Sequence, residues 1–223
     1  MTYFVTGATG FIGRFLVQSL LQRGKGTVYV LVRPKSLGKL DELREFWGKE
    51  SVKRVVPIKG DLGQAKLGVD KADLAKLKGK VQHFYHLGAV YDLEASAEAM
   101  EKANIAGTRG ALEFAEAVQA RCFHLVSSIA AAGLYRGTFT EDMFEEAKGE
   151  QAEIEITTGE EAEELDHPYH RTKHDSEAMV RAHGSLKWRV YRPGMVVGHS
   201  TTGFIDKIDG PYYFFKALQK VRE

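Results

Sequence analysis

Residues 6–13 read TGATGFIG, and this octapeptide constrains the fold more than any other part of the chain. Its glycines, Gly7, Gly10 and Gly13, lie at intervals of three between a short β-prone run, YFVT (3–6), and a helical stretch that opens at Phe11. A glycine triplet alone says little in a chain with 23 glycines, but a strand before it and a helix after it make it specific. Glycine lets the chain turn sharply and approach a bound group closely. The following helix adds unpaired N–H groups and the positive end of its dipole. Such a turn cradles a pyrophosphate, with Thr6, Gly7, Thr9, Gly10, Phe11, Ile12 and Gly13 as expected contacts.

The rest of the chain keeps the same rhythm. Apolar, β-prone runs at 27–32, 54–61, 81–88, 122–128 and 188–193 alternate with helical patterns, including a long one over about 94–120. In the first helix, FIGRFLVQSLLQRG, the pattern predicts a buried stripe of Phe11, Phe15, Leu16 and Leu20, ended by Gly24. Parallel neighbours need crossover connections, so the order implies a doubly wound α/β sheet of Rossmann type with helices on both faces. There is no internal repeat. The expected organisation is one dinucleotide-binding domain over 1–223, with an acidic insertion at about 147–166 and the start of a substrate-binding region at about 200–223.

Arg33 stands twenty residues beyond Gly13, at the end of the second strand run. A carboxylate there would accept hydrogen bonds from ribose hydroxyls; an arginine suits a 2′-phosphate instead, so the expected cofactor is NADP(H). Arg14 and Lys35 could assist. Asp61, followed by Leu62, ends the third strand run, where its carboxylate would meet the adenine amino group.

Charge is unevenly spread. Residues 141–166 hold twelve acidic side chains and one basic one, within a chain whose net charge is +1. A basic remainder suits a phosphorylated ligand, and the acidic segment repels one. No basic face interleaved with aromatics points to nucleic acid. Cys122, the single cysteine, excludes an internal disulfide and reads as a small core residue in a buried strand. No secretory signal opens the sequence, and no apolar run approaches the roughly 20 residues of a membrane span, so the expected location is the cytoplasm.

Several separated motifs now make the sequence resemble the extended short-chain dehydrogenase/reductase family. The spacing T-G-x-x-G-x-x-G at Thr6–Gly13 looks like the extended branch; the single-domain branch shows T-G-x-x-x-G-x-G. HLGA (86–89) resembles the segment lining the cofactor, which implies contacts from Leu87, Gly88 and Ala89. NIAGT matches an N-x-x-G-T helix at Asn104 and Gly107. VSSIAAAG resembles the strand bearing a catalytic serine, and YRPGMVVG the segment passing the nicotinamide, with Pro193, Gly194, Met195 and Val196.

The order of motifs also separates two Tyr-x-x-x-Lys pairs. Roughly 0.7 such pairs are expected by chance in this composition, the ordinary risk with short motifs. In the family the catalytic pair lies between the serine strand and the R-P-G strand. Tyr169 and Lys173 do; Tyr212 and Lys216 come after it. Pro168 fits a first helical position, and the spacing puts both side chains on one face. The resemblance makes Tyr169 the proton donor to a carbonyl oxygen and Lys173 a partner of the nicotinamide ribose. Ser128 rather than Ser127 holds that oxygen, because the interval to Gly133 fits the family's S-x-x-x-x-G ending.

Within the family the motifs look most like bacterial fatty acyl-CoA reductases. That implies a small-molecule substrate, a long-chain acyl thioester or fatty aldehyde reduced towards the alcohol. It also implies that the chain is part of a longer protein, stopping in an early helix of the substrate region. Two other readings stay open: an NAD-dependent sugar-nucleotide epimerase or dehydratase of the same branch, which Arg33 argues against, and a non-catalytic NADP(H)-sensing regulator, which the intact Ser-Tyr-Lys set argues against.

The remaining signals read as structure. His167, His170 and His174 are expected at the surface or near cofactor, with no metal; His83 and His86 are read as packing or cofactor contacts. PYYFF (211–215) is expected to pack on further chain, with contact to an acyl chain or peripherally to a membrane as the other readings. The acidic insertion is either a lid or a solvated loop.

Overall fold

The computed structural model describes residues 1–89, 97–133, 135, 137–148, 168–205 and 211–221. Six strands alternate with helices: β1 (Tyr3–Thr6), α1 (Phe11–Arg23), β2 (Val28–Val32), α2 (Leu37–Trp47), α3 (Glu50–Arg54), β3 (Val55–Lys59), α4 (Lys71–Leu77), β4 (His83–His86) and α5 (Ala97–Met100). A wide π turn, Glu101–Ala106, leads into α6 (Gly107–Ala117), followed by β5 (Cys122–Val126), α7 (Pro168–Arg181), β6 (Lys187–Tyr191) and α8 (Pro211–Val221). All strand pairs are parallel, in the order β3-β2-β1-β4-β5-β6. The order reverses between β1 and β4, and the crevice at the carboxyl ends of those strands is where a doubly wound sheet receives its ligand.

Residues divide into two compact units, Met1–Arg192 and Pro193–Glu223. The first holds the whole sheet. On one face Phe4, Phe84 and Phe123 stack across neighbouring strands at 4.9 and 5.2 Å, packed on Phe114 of α6 and Val180 of α7. On the other, Val5, Val28 and Val30 meet Val17 and Leu20 of α1 and Leu40 and Trp47 of α2. Each such side chain contributes about 1.5–3 kcal/mol by leaving water.

Three expectations change. The buried stripe of α1 is Gly13, Val17, Leu20 and Leu21; Phe11, Phe15 and Leu16 are half-buried. Gly13 has no side chain to hold the helix away, so the face carrying it turns towards the loop; Phe15 instead meets Phe11 and Phe46 edge-on. The strands stop at Lys59, His86, Val126 and Tyr191, short of the apolar runs, because the last residues leave the ladder for the carboxyl-edge loops. Cys122 is half-exposed, not core. It shares a sheet face with Lys187, Arg189 and Tyr191 of β6, all exposed, whereas α1 and α2 cover that face over β1 and β2. Most of the acidic insertion, 149–166, and His167 lie outside the described residues.

Candidate functional site

The glycine loop is built as its spacing implies. Gly7 has φ +70°, a left-handed conformation, and a Cβ there would fall 2.8 Å from the backbone nitrogen of Gly88. A Cβ on Gly13 would lie 2.1 Å from the carbonyl oxygen of Gly7, so α1 can approach the loop only with glycine at that position. Gly10 donates its N–H to Gly7 O at 3.0 Å and caps α1 without a side chain; no acidic residue occupies the first turn. The N–H groups and dipole of this terminus are left to an anion. Thr9, Gly10, Phe11 and Ile12 are half-buried or exposed around it.

Thr6 ties the loop to β4. Its Oγ1 accepts hydrogen bonds from the N–H groups of Leu87 (3.2 Å) and Gly88 (3.1 Å), and lies 2.8 Å from His86 Nδ1. With its acceptor capacity used by two amides, the Thr6 hydroxyl donates to Nδ1. His86 therefore carries its proton on Nε2, which faces Thr108 Oγ1 of α6 at 3.3 Å. Burial, with Lys173 nearby, lowers the His86 pKa to about 3, so the ring is neutral. Leu62 lies against Gly88, where a Cβ would meet its Cδ1 at 2.4 Å; Ala89 is exposed.

Beyond Gly88 a small cavity lies between β4, β5, the π turn and α7, lined by His86, Asn104, Ser127, Lys173 and Ser176 among others. Lys173 is 6% exposed, and its Nζ donates to the Val126 carbonyl at the end of β5 at 3.1 Å. Burial lowers its pKa to about 8, against the opposing pull of Glu177 one turn further along α7. Asn104 occupies the π turn, a feature frequent at functional sites. Its Nδ2 donates to Thr172 Oγ1 at 3.1 Å, and Ser176 Oγ lies 2.9 Å from its carbonyl oxygen, which fastens the turn to α7.

Tyr169 is half-buried in the first turn of α7, one turn before Lys173. Ser128 is extended (φ −159°, ψ 158°) and caps the short 3-10 turn Ile129–Ala132, accepting the Ala130 N–H at 3.1 Å. Ser127 is buried and lines this cavity; Ser128, the next residue, is half-buried outside its lining.

The other expected contacts are spread more widely. Arg33 is exposed immediately after β2. Asp61 follows β3 by two residues, and its Oδ1 accepts the Gly63 N–H at 2.8 Å. Pro193, Gly194, Met195 and Val196 belong to the second unit, where Met195 is 75% exposed. In that unit the Tyr212 hydroxyl accepts the Gly198 N–H at 2.7 Å, a structural use for the other tyrosine of the two pairs. His174 Nδ1 donates to the Ala131 carbonyl at 3.0 Å and its ring stacks on Phe144, so it serves packing. His83 opens β4, at the end of the strand away from the glycine loop.

Sequence reasoning missed the support beneath this site. Glu177 is fully buried on α7, held by Arg192 Nη2 (2.6 Å) and Arg181 Nε (2.8 Å). Burial opposes its charge, but the arginine hydrogen bonds outweigh that and lower its pKa. Arg192 also donates to the Met143 carbonyl at 2.9 Å, and Arg181 lies over Phe144, which fixes the segment after β5 against α7. The available signal was the glutamate one helical turn after Lys173.

A family model described as male sterility protein matches residues 5–222. A linear gramicidin synthase from Brevibacillus parabrevis is 32% identical over 215 residues, covering 92% of this chain and 4% of that protein. A putative fatty acyl-CoA reductase of Drosophila melanogaster is 28% identical over 247 residues, covering 97% of this chain and 48% of its own length. The terminal R domain from the myxalamid PKS-NRPS biosynthetic pathway superposes with a TM-score of 0.74 at 29% identity, covering 90% of this chain and 51% of that one. The chain thus spans about half of the reductase and of the R domain it resembles. Relatives of both kinds match, so the likeness is not particular to bacterial fatty acyl-CoA reductases.

Proposed function

The chain belongs to the male sterility protein family, and from that membership we propose that it is the dinucleotide-binding module of an NADPH-dependent reductase acting on a long-chain acyl thioester or fatty aldehyde. The observation that carries this reading is Lys173, buried beside a small cavity at the carboxyl ends of β4 and β5, one turn after Tyr169 and near the glycine loop's anchor on Gly88.

The residues present fit a dinucleotide. A cradle that a Cβ on Gly7 or Gly13 would fill, with an uncapped helix terminus behind it, accepts the pyrophosphate. Exposed Arg33 has the charge and fork geometry for a 2′-phosphate. When bound, the reduced nicotinamide supplies a hydride to the carbonyl carbon. Tyr169 gives its proton to the carbonyl oxygen, and Ser128 orients that oxygen by hydrogen bond. A phenol has a pKa near 10, so the Lys173 ammonium assists by favouring the phenolate left behind. Lys173 also binds the nicotinamide ribose while Val126 holds its Nζ in place. A thioester treated this way collapses to aldehyde and releases thiol; an aldehyde ends as alcohol.

NADPH oxidation tests the reading, with a long-chain acyl-CoA, a long-chain aldehyde and a UDP-sugar offered in turn. Consumption with the first or second, and not with the third, supports it. NAD retained through purification, together with turnover of the UDP-sugar, would replace it with the epimerase reading.

A further inference from the structure

The half-open sheet face described above carries a second cluster, at the amino-terminal end of β4 and β5. His83 and Cys122 are direct partners across these parallel strands, and His124 lies two residues beyond Cys122 on the same face. One ligand atom from each of the three lies within 4.8 Å of the other two. We propose that His83, Cys122 and His124 form a zinc-binding site, separate from the dinucleotide cleft.

The ligand set is that of a zinc centre with three protein ligands, one thiolate and two imidazoles, leaving a fourth position for water. The present arrangement is close to that geometry. His83 Nδ1 and His124 Nε2 lie 2.9 Å apart. Tetrahedral zinc at ordinary bond lengths needs its nitrogens about 3.3 Å apart and each nitrogen about 3.6 Å from sulfur. Small rotations of the rings and of the Cys122 thiol close the difference, and both strands are paired on either side within the sheet.

Proton positions also suit a metal. His124 Nδ1 lies 2.9 Å from the Tyr191 hydroxyl. If it donates there, the Nε2 lone pair faces His83, whose Nδ1–H is the donor between the rings. A hydrogen-bonded outer nitrogen is the usual support of a ligating histidine. On binding, the His83 proton moves to Nε2, its half-exposed side, and both imidazoles present lone pairs to zinc. Cys122 binds as the thiolate, so its proton is released on binding. The charges facing the site, Arg189, Lys187, Arg23 and the terminal ammonium, disfavour a dication and favour the thiolate. The site should therefore be weaker than a closed four-ligand centre.

Cobalt is the spectroscopic probe. The chelator-stripped protein, titrated with Co²⁺, should develop a thiolate-to-cobalt charge-transfer band that saturates at one equivalent and is bleached by Zn²⁺. Cys122 is the single cysteine, so the band can have no other source. Cys122→Ser should abolish it with the circular dichroism unchanged, and His83→Asn should weaken Zn²⁺ binding at least tenfold. A folded parent protein that shows no such band overturns the proposal without recourse to any variant. So does Zn²⁺ binding that is undiminished in Cys122→Ser, which would place the metal elsewhere.

Discussion

Glu177 and Arg192 form a buried ion pair at 2.6 Å that joins the helix bearing Tyr169 and Lys173 to the residue after the last strand. Arg181 completes it from the next turn of the helix. Replacing the carboxylate by an amide leaves two guanidinium groups with no charge to balance them at this point. Glu177→Gln should therefore destabilise the protein by about 3–5 kcal/mol, read from the urea midpoint. A Glu177→Gln/Arg192→Met double variant should recover part of that loss, because the uncompensated charge goes with it.

The glycine loop predicts a graded series. A Cβ at Gly13 would lie 2.1 Å from backbone, whereas one at Gly10 would lie 3.3 Å away. Gly13→Ala should abolish NADPH binding and lower the melting temperature. Gly10→Ala should melt close to the parent and keep measurable binding by fluorescence titration.

Arg33 sets the preference between cofactors in this account. Charge-assisted hydrogen bonds are worth about 1.5–3 kcal/mol, so Arg33→Ala should lower the NADPH:NADH affinity ratio about 10- to 100-fold. Loss of affinity for both cofactors equally would assign Arg33 to something other than the 2′-phosphate.

Stability should fall on mild acidification. His86 is held at about 3 and His124 at about 4, both below the 6.5 of an unfolded histidine. Below pH 6.5 the unfolded chain binds protons that the folded one refuses, so stability drops as pH falls, by up to about 1.4 kcal/mol per pH unit for a group such as His86. The stabilising charge of Glu177 is lost only below the carboxylate's ordinary 4.5, so the window from 6.5 to 4.5 reports the histidines. Chemical denaturation across that window, with chelator present, should show a shallower slope for His124→Phe.

Lys173 gives a second pH signature. With its pKa lowered to about 8, its ammonium is present at neutral pH and lost above it. NADPH affinity should decline as pH rises through about 8, and Lys173→Met should bind weakly at every pH without that inflection.

Much of this was legible in local sequence. The glycine turn between strand and helix, and the alternation that makes a parallel sheet, depend on residues near one another in the chain. What was not legible depends on distant pairing. The Glu177–Arg192 ion pair joins residues fifteen apart, across the loop after α7 and the whole of β6. Cys122 looks like core in a strand read alone, yet it sits on a face the helices leave half-open. The motif singled out Ser128, yet Ser127, two residues after Leu125 and with its N–H on the Tyr191 carbonyl at 2.7 Å, is the serine that lines the cavity, because α7 covers that side of β5. Phe11 and Phe15 have the right period for a core stripe, and Gly13 turned the buried face away from them.

The most direct test of the central assignment compares Tyr169→Phe with Tyr212→Phe in NADPH oxidation with a long-chain aldehyde. Tyr169→Phe should lose about 10²–10⁴-fold in rate, the usual contribution of a positioned acid, with NADPH binding retained. Tyr212→Phe should turn over near the parent's rate, since its hydroxyl holds the Gly198 N–H. Full activity in Tyr169→Phe, or a collapse confined to Tyr212→Phe, would contradict the account.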